Sequence, residues 1–263
     1  MTDQQIRFED GAGYERMMGV WSRLAGDVFL DWLAPPTGLS WIDVGCGNGA
    51  FTELIVDRCA PAGVEGIDPS EGQLAFARTR PAGRVARVAI GDARSLPYPA
   101  GRFDAAVMAL VIFFVPEPAK GVAEMVRVVR PGGFVSAYAW DMLGGGFPLE
   151  PLQAEMRGMG VEPLRPPSFA VSRMDALRHL WIDAGLDAVE TREISVRRTF
   201  AGFDEFWETS KLGTSSRAVL ATLSAEATAE LKSRVRAALP VDPGGTITCS
   251  ARANAVKGRV AKA

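Results

Sequence analysis

The chain has 263 residues, of which 48% are hydrophobic and 23% charged, a composition typical of a globular protein. Its formal net charge of -2 and pI of about 5.6 argue against a protein that tracks nucleic-acid phosphates, because such chains are usually basic. The length accommodates one large α/β domain or two small ones, with a sizeable core.

Cysteine, histidine and the apolar runs narrow the class further. The three cysteines have no paired spacing and His179 is the one histidine, so neither a disulfide framework nor a zinc site is expected. Residues 1–11 are polar and mixed in charge, unlike a signal peptide. The longest uncharged run, residues 105–115, is too short to span a bilayer and ends at Pro116. We therefore expect a cytoplasmic protein without stable membrane insertion.

The first predicted element is an amphipathic helix over residues 14–33, which Pro35 and Pro36 terminate. Apolar side chains recur along it at helical spacing: Met17, Trp21, Leu24, Val28 and Trp32. An N-terminal helical cap over residues 1–36 follows from this pattern.

Residues 37–140 alternate between short apolar runs and amphipathic stretches. Strands are predicted at residues 39–44, 64–67, 85–90, 103–110 and 133–140, and helices at 50–58, after Ser70 and at 118–129. Ser70 followed by Gln73 is a capping-box pattern for the second of these helices. Strands that lack strict alternation and are separated by helices predict a parallel sheet covered on both faces.

The pattern changes after residue 140. Residues 141–171 contain a glycine run and several prolines, which predicts an irregular insertion. The remaining elements are a helix over 173–184 with Ser172 as its cap and Gly185 at its end, a strand at 189–199, helices at 204–209 and 220–239, and a strand at 246–256. We interpret the chain as one α/β domain, with residues 141–171 as a lid and 172–263 completing the sheet.

A glycine-rich turn follows the first predicted strand. Gly45, Gly47 and Gly49 allow the backbone to turn sharply and approach a ligand at the next helix N-terminus. The spacing also fits a dinucleotide-binding loop, and a tight turn without any ligand is a further alternative. Asp68 ends the second strand, where it can bind a ribose diol or simply begin the turn before Pro69.

The order of the motifs gives a more specific resemblance. DVGCGNG, GIDPS, GDARSLP, FDAAVMALVIFFVPEP and RVVRPGGFV follow one another at the spacing of the class I S-adenosylmethionine-dependent methyltransferases. Within them the chain resembles the group that contains the ubiquinone and menaquinone C-methyltransferases. The resemblance covers residues 14–140, and residues 246–259 match the antiparallel seventh strand of this Rossmann-like fold. It covers residues 141–200 only loosely.

The resemblance implies S-adenosyl-L-methionine as the cofactor and a role for each matching position. Asp43 and the loop with Gly45, Cys46, Gly47 and Gly49 would hold the methionine portion, Asp68 and Pro69 the ribose, and Asp92 and Ala93 the adenine. Ala109 and Leu110 would line the cofactor, and Tyr14 or Trp21 would close over it, with core packing as the alternative for Trp21. Arg16 or Arg23 can meet the cofactor carboxylate, since arginine suits a carboxylate, although solvated helix charges are the better explanation for both.

The sequence indicates the methyl acceptor less specifically than the cofactor. We expect a small, apolar or aromatic acceptor and no nucleic acid, because ALVIFF replaces the tetrapeptide of amine-directed nucleic-acid methylases. Aromatic residues can surround the sulfonium: Tyr14, Phe113, Phe114, Tyr138 and Trp140.

A general base is needed only if the acceptor loses a proton in the reaction. Asp141 is the candidate base, with a turn before Gly144 as the alternative. Glu150 is a weaker candidate, and His179 fits a surface position better. Two other functions remain open, a nicotinamide-dependent oxidoreductase and a non-catalytic S-adenosylmethionine-binding protein.

Overall fold

A seven-stranded mixed sheet forms the centre of the computed structural model, which describes residues 11–262. The strands are β1 (Ser40–Val44), β2 (Gly63–Asp68), β3 (Ala86–Ile90), β4 (Phe103–Ala109), β5 (Val129–Trp140), β6 (Leu186–Phe200) and β7 (Ile247–Val260). Their order is β3-β2-β1-β4-β5-β7-β6, and β7 runs antiparallel to both β5 and β6. The predicted sheet of seven strands with an antiparallel last strand is confirmed.

Helices cover the sheet and its carboxyl edge. They are α1 (Gly11–Tyr14), α2 (Val20–Leu33), α3 (Ala50–Cys59), α4 (Glu71–Ala77), α5 (Pro118–Val128), α6 (Glu150–Gly158), α7 (Met174–Asp183), α8 (Phe203–Lys211), α9 (Thr214–Leu220) and α10 (Ala225–Ala238). A π-helical turn, Glu15–Gly19, joins α1 to α2, and short 3₁₀ turns occur at Pro81–Arg84, Ile112–Phe114 and Phe169–Ser172. No helix among residues 11–262 has the length and apolarity needed to cross a membrane.

The core lies between these helices and the two central strands. Trp41 and Ile42 of β1 and Val107 of β4 are completely buried, which explains why these strands are apolar on both faces. Trp181 fastens α7 to the sheet, because its indole Nε1 donates to the Val135 carbonyl at 3.0 Å. Burying a side chain of this size stabilises the fold while its one polar atom remains satisfied.

The first predicted helix is present, but residues 1–10 of the predicted cap lie outside the described residues. The helix contains the π-helical turn Glu15–Gly19, which the apolar periodicity did not predict. Its C-terminal residue is followed by Ala34 at φ +45°, in the left-handed region, before the two prolines. π-helical turns often occur at functional sites, and this one lies beside the cavity described below.

Three local predictions are corrected by the structure. The predicted helix 220–239 begins only at Ala225, as α10, because Leu220 ends the separate helix α9 and Ser224 caps α10 by accepting from the Ala227 N–H at 3.1 Å. Ser172 does not cap α7, because its hydroxyl donates to the Phe169 carbonyl at 2.7 Å. The insertion over residues 141–171 is not wholly irregular, since it contains α6.

The fifth strand also differs from its prediction. It begins at Val129 rather than residue 133 and includes the RPGG sequence. Its register against β4 shifts between Phe103 and Ala105, and Gly132 adopts a φ of +77°. A glycine at such an irregularity accommodates a conformation that other residues adopt only with strain.

Candidate active site

A glycine loop, residues 45–49, connects β1 to α3 at the carboxyl edge of the sheet. Gly45, Gly47 and Gly49 have φ values of +78°, +52° and +78°, a region that glycine enters without steric cost. A Cβ on Gly45 would lie 2.3 Å from Val111 Cγ1, whereas one on Gly47 would meet nothing closer than 3.9 Å. The loop is therefore packed tightly against the end of β4 and open on the side of Gly47.

Asp68 fixes the open side of the glycine loop. Its Oδ2 accepts from the Gly47 N–H at 2.9 Å, and its Oδ1 accepts from the Ser70 N–H at 2.9 Å. Burial raises the pKa of Asp68, and the two backbone N–H groups lower it. Asp68 therefore does stabilise the turn around Pro69, and the same carboxylate also orients the glycine loop. Each oxygen retains a second acceptor position.

Asp43 is a completely buried carboxyl group at the end of β1. Its Oδ2 accepts from the Thr52 hydroxyl at 2.6 Å, but its Oδ1 has no hydrogen-bond partner among the described residues. Burial raises the pKa of Asp43 to about 7, with Asp68 adding to the rise and Thr52 opposing it. A buried acceptor without a donor costs about 1–3 kcal/mol, so this oxygen can bind a donor from a ligand.

An apolar cavity lies near the glycine loop, and its about 570 Å³ of space between protein atoms includes the opening to solvent. Leu110 connects the two, because it lines the cavity while the neighbouring Val111 packs against Gly45. Leu110 has a φ of +62°, which is strained for a side chain that is not glycine, and its N–H donates to the Tyr138 carbonyl at 2.8 Å. The left-handed backbone conformation of Leu110 directs the chain from the end of β4 into the cavity wall.

The cavity wall carries no charged side chain among the described residues. Its lining consists of Tyr14, Met17, Met18, Leu110, Phe113, Phe114, Trp140, Met142, Phe147, Leu149, Gln153, Leu164, Pro166, Gly213 and Ser215. Polar side chains come only from Tyr14, Gln153 and Ser215, and Ser215 donates to the Leu164 carbonyl at 3.2 Å. Such a wall suits an uncharged ligand, because an unpaired charge is costly in apolar surroundings.

Comparison with known proteins shows the family to which this chain, with its glycine loop, strand-end acids and antiparallel seventh strand, belongs. A family model described as "Methyltransferase domain" matches residues 42–137. Trans-aconitate 2-methyltransferase of Methylobacterium nodulans is 30% identical over 239 residues, which cover 88% of this chain and 88% of that protein. The chain belongs to the class I S-adenosylmethionine-dependent methyltransferases.

Other members of the family match over shorter or more divergent regions. 2-Methyl-6-phytyl-1,4-hydroquinone methyltransferase 2 of Oryza sativa subsp. japonica is 41% identical over 92 residues, 35% of this chain and 26% of that protein. Phosphoethanolamine N-methyltransferase 2 of Haemonchus contortus, solved in complex with S-adenosyl-L-methionine, superimposes with a TM-score of 0.57 at 18% identity, covering 95% of this chain and 56% of that one. S-adenosylmethionine is the cofactor of the family.

The chain spans less than half the length of several curated relatives that it matches. Seven of them, the rice enzyme included, are covered over 26% to 47% of their own lengths. The family model matches residues 42–137, whereas residues 141–171, which contribute much of the cavity wall, lie outside the matched region.

Four further predicted cofactor residues, one of them within the glycine loop, lie in different surroundings. Asp92 follows β3 and is bound by Arg94, whose Nη2 lies 2.7 Å from Oδ2, and this pairing lowers the pKa of Asp92. Ala93 is half-buried, Pro69 is exposed, and Cys46 is buried. The Cys46 side chain packs against the backbone of β2, so only its main chain is left to contact a ligand.

The predicted aromatic residues divide between the cavity and the core. Tyr14, Phe113, Phe114 and Trp140 line the cavity. Tyr138 does not, because it is completely buried and packs against Phe29 at 4.7 Å between ring centroids. Trp21 is 1% exposed in the core of α2 and does not line the cavity either, which matches the packing alternative. The N-terminal aromatic beside the cavity is therefore Tyr14.

The residues considered as general bases do not reach the described cavity wall. Asp141 Oδ2 is 2.7 Å from Arg252 Nη2, and its Oδ1 accepts from the Gly144 N–H at 2.9 Å, an arrangement that stabilises a turn. Glu150 is paired with Arg157. His179 is exposed on α7.

Sequence reasoning missed most of the cavity wall. Residues 141–171 contribute six lining side chains, and Ser215 of α9 and the backbone of Gly213 line the cavity as well. Gln153, for example, lies in a helix that the proline-rich composition did not predict. These residues carry no shared motif, so only their arrangement in space reveals them.

The buried Asp43 carboxyl group should make stability depend on pH. Because its pKa is about 7 in the folded chain against 3.8 for the ordinary group, the native state retains a proton that the unfolded chain releases. The contribution of Asp43 to the free energy of unfolding is therefore fully present below about pH 4. It falls by up to about 4 kcal/mol as the pH rises through about 7. Asp43→Asn should abolish this loss.

Urea unfolding at pH 5 and pH 8 measures the effect directly. The difference in unfolding free energy between the two pH values should shrink in Asp43→Asn but persist in Asp57→Asn, a control at an exposed position of α3. An unchanged difference in Asp43→Asn would show that this carboxyl group titrates normally.

Proposed function

We propose that this chain transfers a methyl group from S-adenosylmethionine to a small, uncharged acceptor with an apolar or aromatic body. The supporting observation is the apolar cavity near the glycine loop, with aromatic and methionine side chains and no charge on its described wall. Methionine thioethers and aromatic rings adapt to flat apolar ligands.

The glycine loop and its two acids fit the family's cofactor. Asp43 has a buried oxygen without a donor, Gly47 faces open space, and Asp68 retains acceptor positions. S-adenosylmethionine supplies an electrophilic methyl group on a sulfonium, together with an ammonium and a ribose diol that such acceptors bind. In this proposal the residues that hold it are Asp43, the loop 45–49, Asp68, Asp92, Ala93, Ala109, Leu110 and Tyr14.

The chain's catalytic contribution is to align the acceptor and exclude water. Methyl transfer is a displacement at carbon, and holding the reactants in line supplies a large part of the rate enhancement. Tyr14 is the titratable group on the described wall, and burial raises its pKa to about 12, with Asp68 adding to the rise and Ser22 opposing it. Tyr14 therefore remains protonated at neutral pH and acts as a hydrogen-bond donor rather than a base.

Two relatives carry names with contrasting acceptors, a tricarboxylate and an alkylated hydroquinone. A tricarboxylate in this cavity would leave its charges without cationic partners, which is costly in apolar surroundings. A hydroquinone would place its ring against aromatic side chains and its hydroxyl groups near Tyr14, Gln153 or Ser215. The described cavity wall thus favours acceptors of the hydroquinone kind.

A methyl-transfer assay with labelled S-adenosylmethionine tests this proposal. We expect alkylated 1,4-hydroquinones to be methylated with a kcat/KM at least about tenfold above that for trans-aconitate, since each factor of ten requires only about 1.4 kcal/mol. Preference for the tricarboxylate would refute the acceptor assignment. Cofactor binding without methyl transfer to any acceptor would support the non-catalytic alternative.

Asp141→Asn separates a turn residue from a general base. We expect turnover within about twofold of the wild type, because the carboxyl group is bound to Arg252 and Gly144 away from the cavity wall. The unfolding free energy should fall by about 1–3 kcal/mol as the ion pair is lost. A drop in kcat of a hundredfold with normal stability would restore the catalytic role.

Alanine at two loop glycines should separate folding from cofactor binding. Gly45→Ala should destabilise the fold by several kcal/mol, because its Cβ would clash with Val111 at 2.3 Å in addition to the backbone strain. Gly47→Ala should cost only about 1–2 kcal/mol but weaken S-adenosylhomocysteine binding. Thermal unfolding and calorimetric titration of both variants measure these effects, and normal binding by Gly47→Ala would contradict the loop assignment.

A further inference from the structure

Arg80 lies just after α4 and is almost completely buried, with a side chain 9% exposed. Its guanidinium group contacts three separate parts of the chain. Nε donates to the Asn48 carbonyl of the glycine loop at 2.6 Å, and Nη1 donates to Glu53 of α3 at 2.9 Å. Nη2 forms a short ion pair with Glu15 of the π-helical turn.

The glycine loop also contacts Glu15 directly. The Asn48 side-chain amide, which is buried, donates to Glu15 Oε2 at 2.8 Å. Space for this carboxylate depends on Gly19, because a Cβ there would lie 2.6 Å from the Glu15 carboxyl carbon. The π-helical turn therefore directs the Glu15 carboxylate towards the glycine loop, where Arg80 binds it.

The charges in this cluster balance. Arg23 of α2 donates to Glu53 Oε2 at 2.7 Å, so two arginines face two glutamates. Arg23 thus has a structural partner and is not available for the role at the cofactor carboxylate that the sequence suggested. A balanced cluster avoids the penalty of an unpaired buried charge, but removal of one member leaves the others uncompensated.

The N-terminal segment, residues 11–19, carries side chains to the apolar cavity at the same time. Tyr14, Met17 and Met18 all line the cavity wall. One side of this segment therefore faces the cavity, and Glu15 connects it to the loop proposed to hold the cofactor. Arg80 contacts both Glu15 of the segment and Asn48 of the glycine loop, so it joins the segment to the loop.

We propose that Arg80 is a positioning residue that locks the N-terminal segment onto the glycine loop, so that closure of the segment and binding of the cofactor reinforce each other. The inference rests on the proposed cofactor seat at the loop. When the segment is closed, Asn48 is held from both sides, and the conformation of Gly47 and Gly49 is set before the cofactor arrives. A bound cofactor in turn holds the loop in the conformation that accepts Glu15.

The geometry of the contacts requires arginine at this position. Three elements are bound by three different nitrogens of one planar group, and a lysine ammonium cannot reproduce that fork. Arg78, two residues earlier, provides the matched control, because it is exposed and its one ion pair among the described residues is with Glu71 of α4. Both substitutions remove one positive charge from the same region of the chain.

Calorimetric titration with S-adenosylhomocysteine tests the effect on binding. We expect the Kd to rise about tenfold or more in Arg80→Gln, by an intermediate factor in Arg80→Lys, and by less than about twofold in Arg78→Gln.

Limited trypsin digestion then reports on the segment through cleavage at Arg16, which is exposed. Cleavage should be faster in Arg80→Gln than in Arg78→Gln. S-adenosylhomocysteine should slow this cleavage in the wild type but no longer in Arg80→Gln.

Glu15→Gln provides a second variant if Arg80→Gln folds poorly, because it leaves the contacts of Arg80 with Asn48 and Glu53 in place. It should weaken binding and speed cleavage at Arg16 in the same way. In the double variant the combined effect should be smaller than the sum of the two single effects. Wild-type affinity and unchanged cleavage at Arg16 in both variants, with only a lowered Tm, would overturn the proposal. If the wild type itself fails to bind S-adenosylhomocysteine, the proposed cofactor site at the glycine loop is wrong. The comparison of cleavage rates without ligand still decides whether Arg80 holds the segment.

Discussion

The hydrogen bond from the Gly47 N–H to the Asp68 carboxylate is the contact on which the arrangement of the site depends. It joins the loop after β1 to the end of β2, and it holds a left-handed backbone that only glycine adopts without strain. On the opposite side of the loop Val111 leaves no room for a side chain at Gly45. The loop is therefore fixed from both sides, and the space in front of Gly47 stays open for a ligand.

The polar and apolar halves of the site perform different tasks. Asp43 and Asp68 are carboxyl groups whose pKa values are raised by burial, and they provide acceptors close to the glycine loop. The cavity beyond Leu110 provides aromatic and thioether surface and no charge on its described wall. In the proposed function, this division lets a loop that resembles those of other family members serve an acceptor site of its own.

The N-terminal segment belongs to both halves. Its π-helical turn presents Met17 and Met18 to the cavity while Glu15 points back to Arg80 and the glycine loop. A regular α-helix would not distribute these side chains in the same way, because an extra residue in the turn shifts those that follow. The strained Leu110 performs a similar task at the end of β4. Departures from regular geometry thus cluster where the cavity meets the loop.

The sequence by itself determined the sheet, the family and the identity of the loop. Alternation of apolar runs with helices is set by local periodicity, and the glycines and acids at strand ends lie within one short stretch each, so they can be recognised without knowing their neighbours. Tertiary structure alone decided the partners: Arg252 for Asp141, the core for Trp21 and Tyr138, and Gln153 at the cavity. These contacts join residues distant in the chain, and the carboxylate of Asp141 has the same local pattern whether it meets a substrate or an arginine. Only packing in three dimensions distinguishes the two.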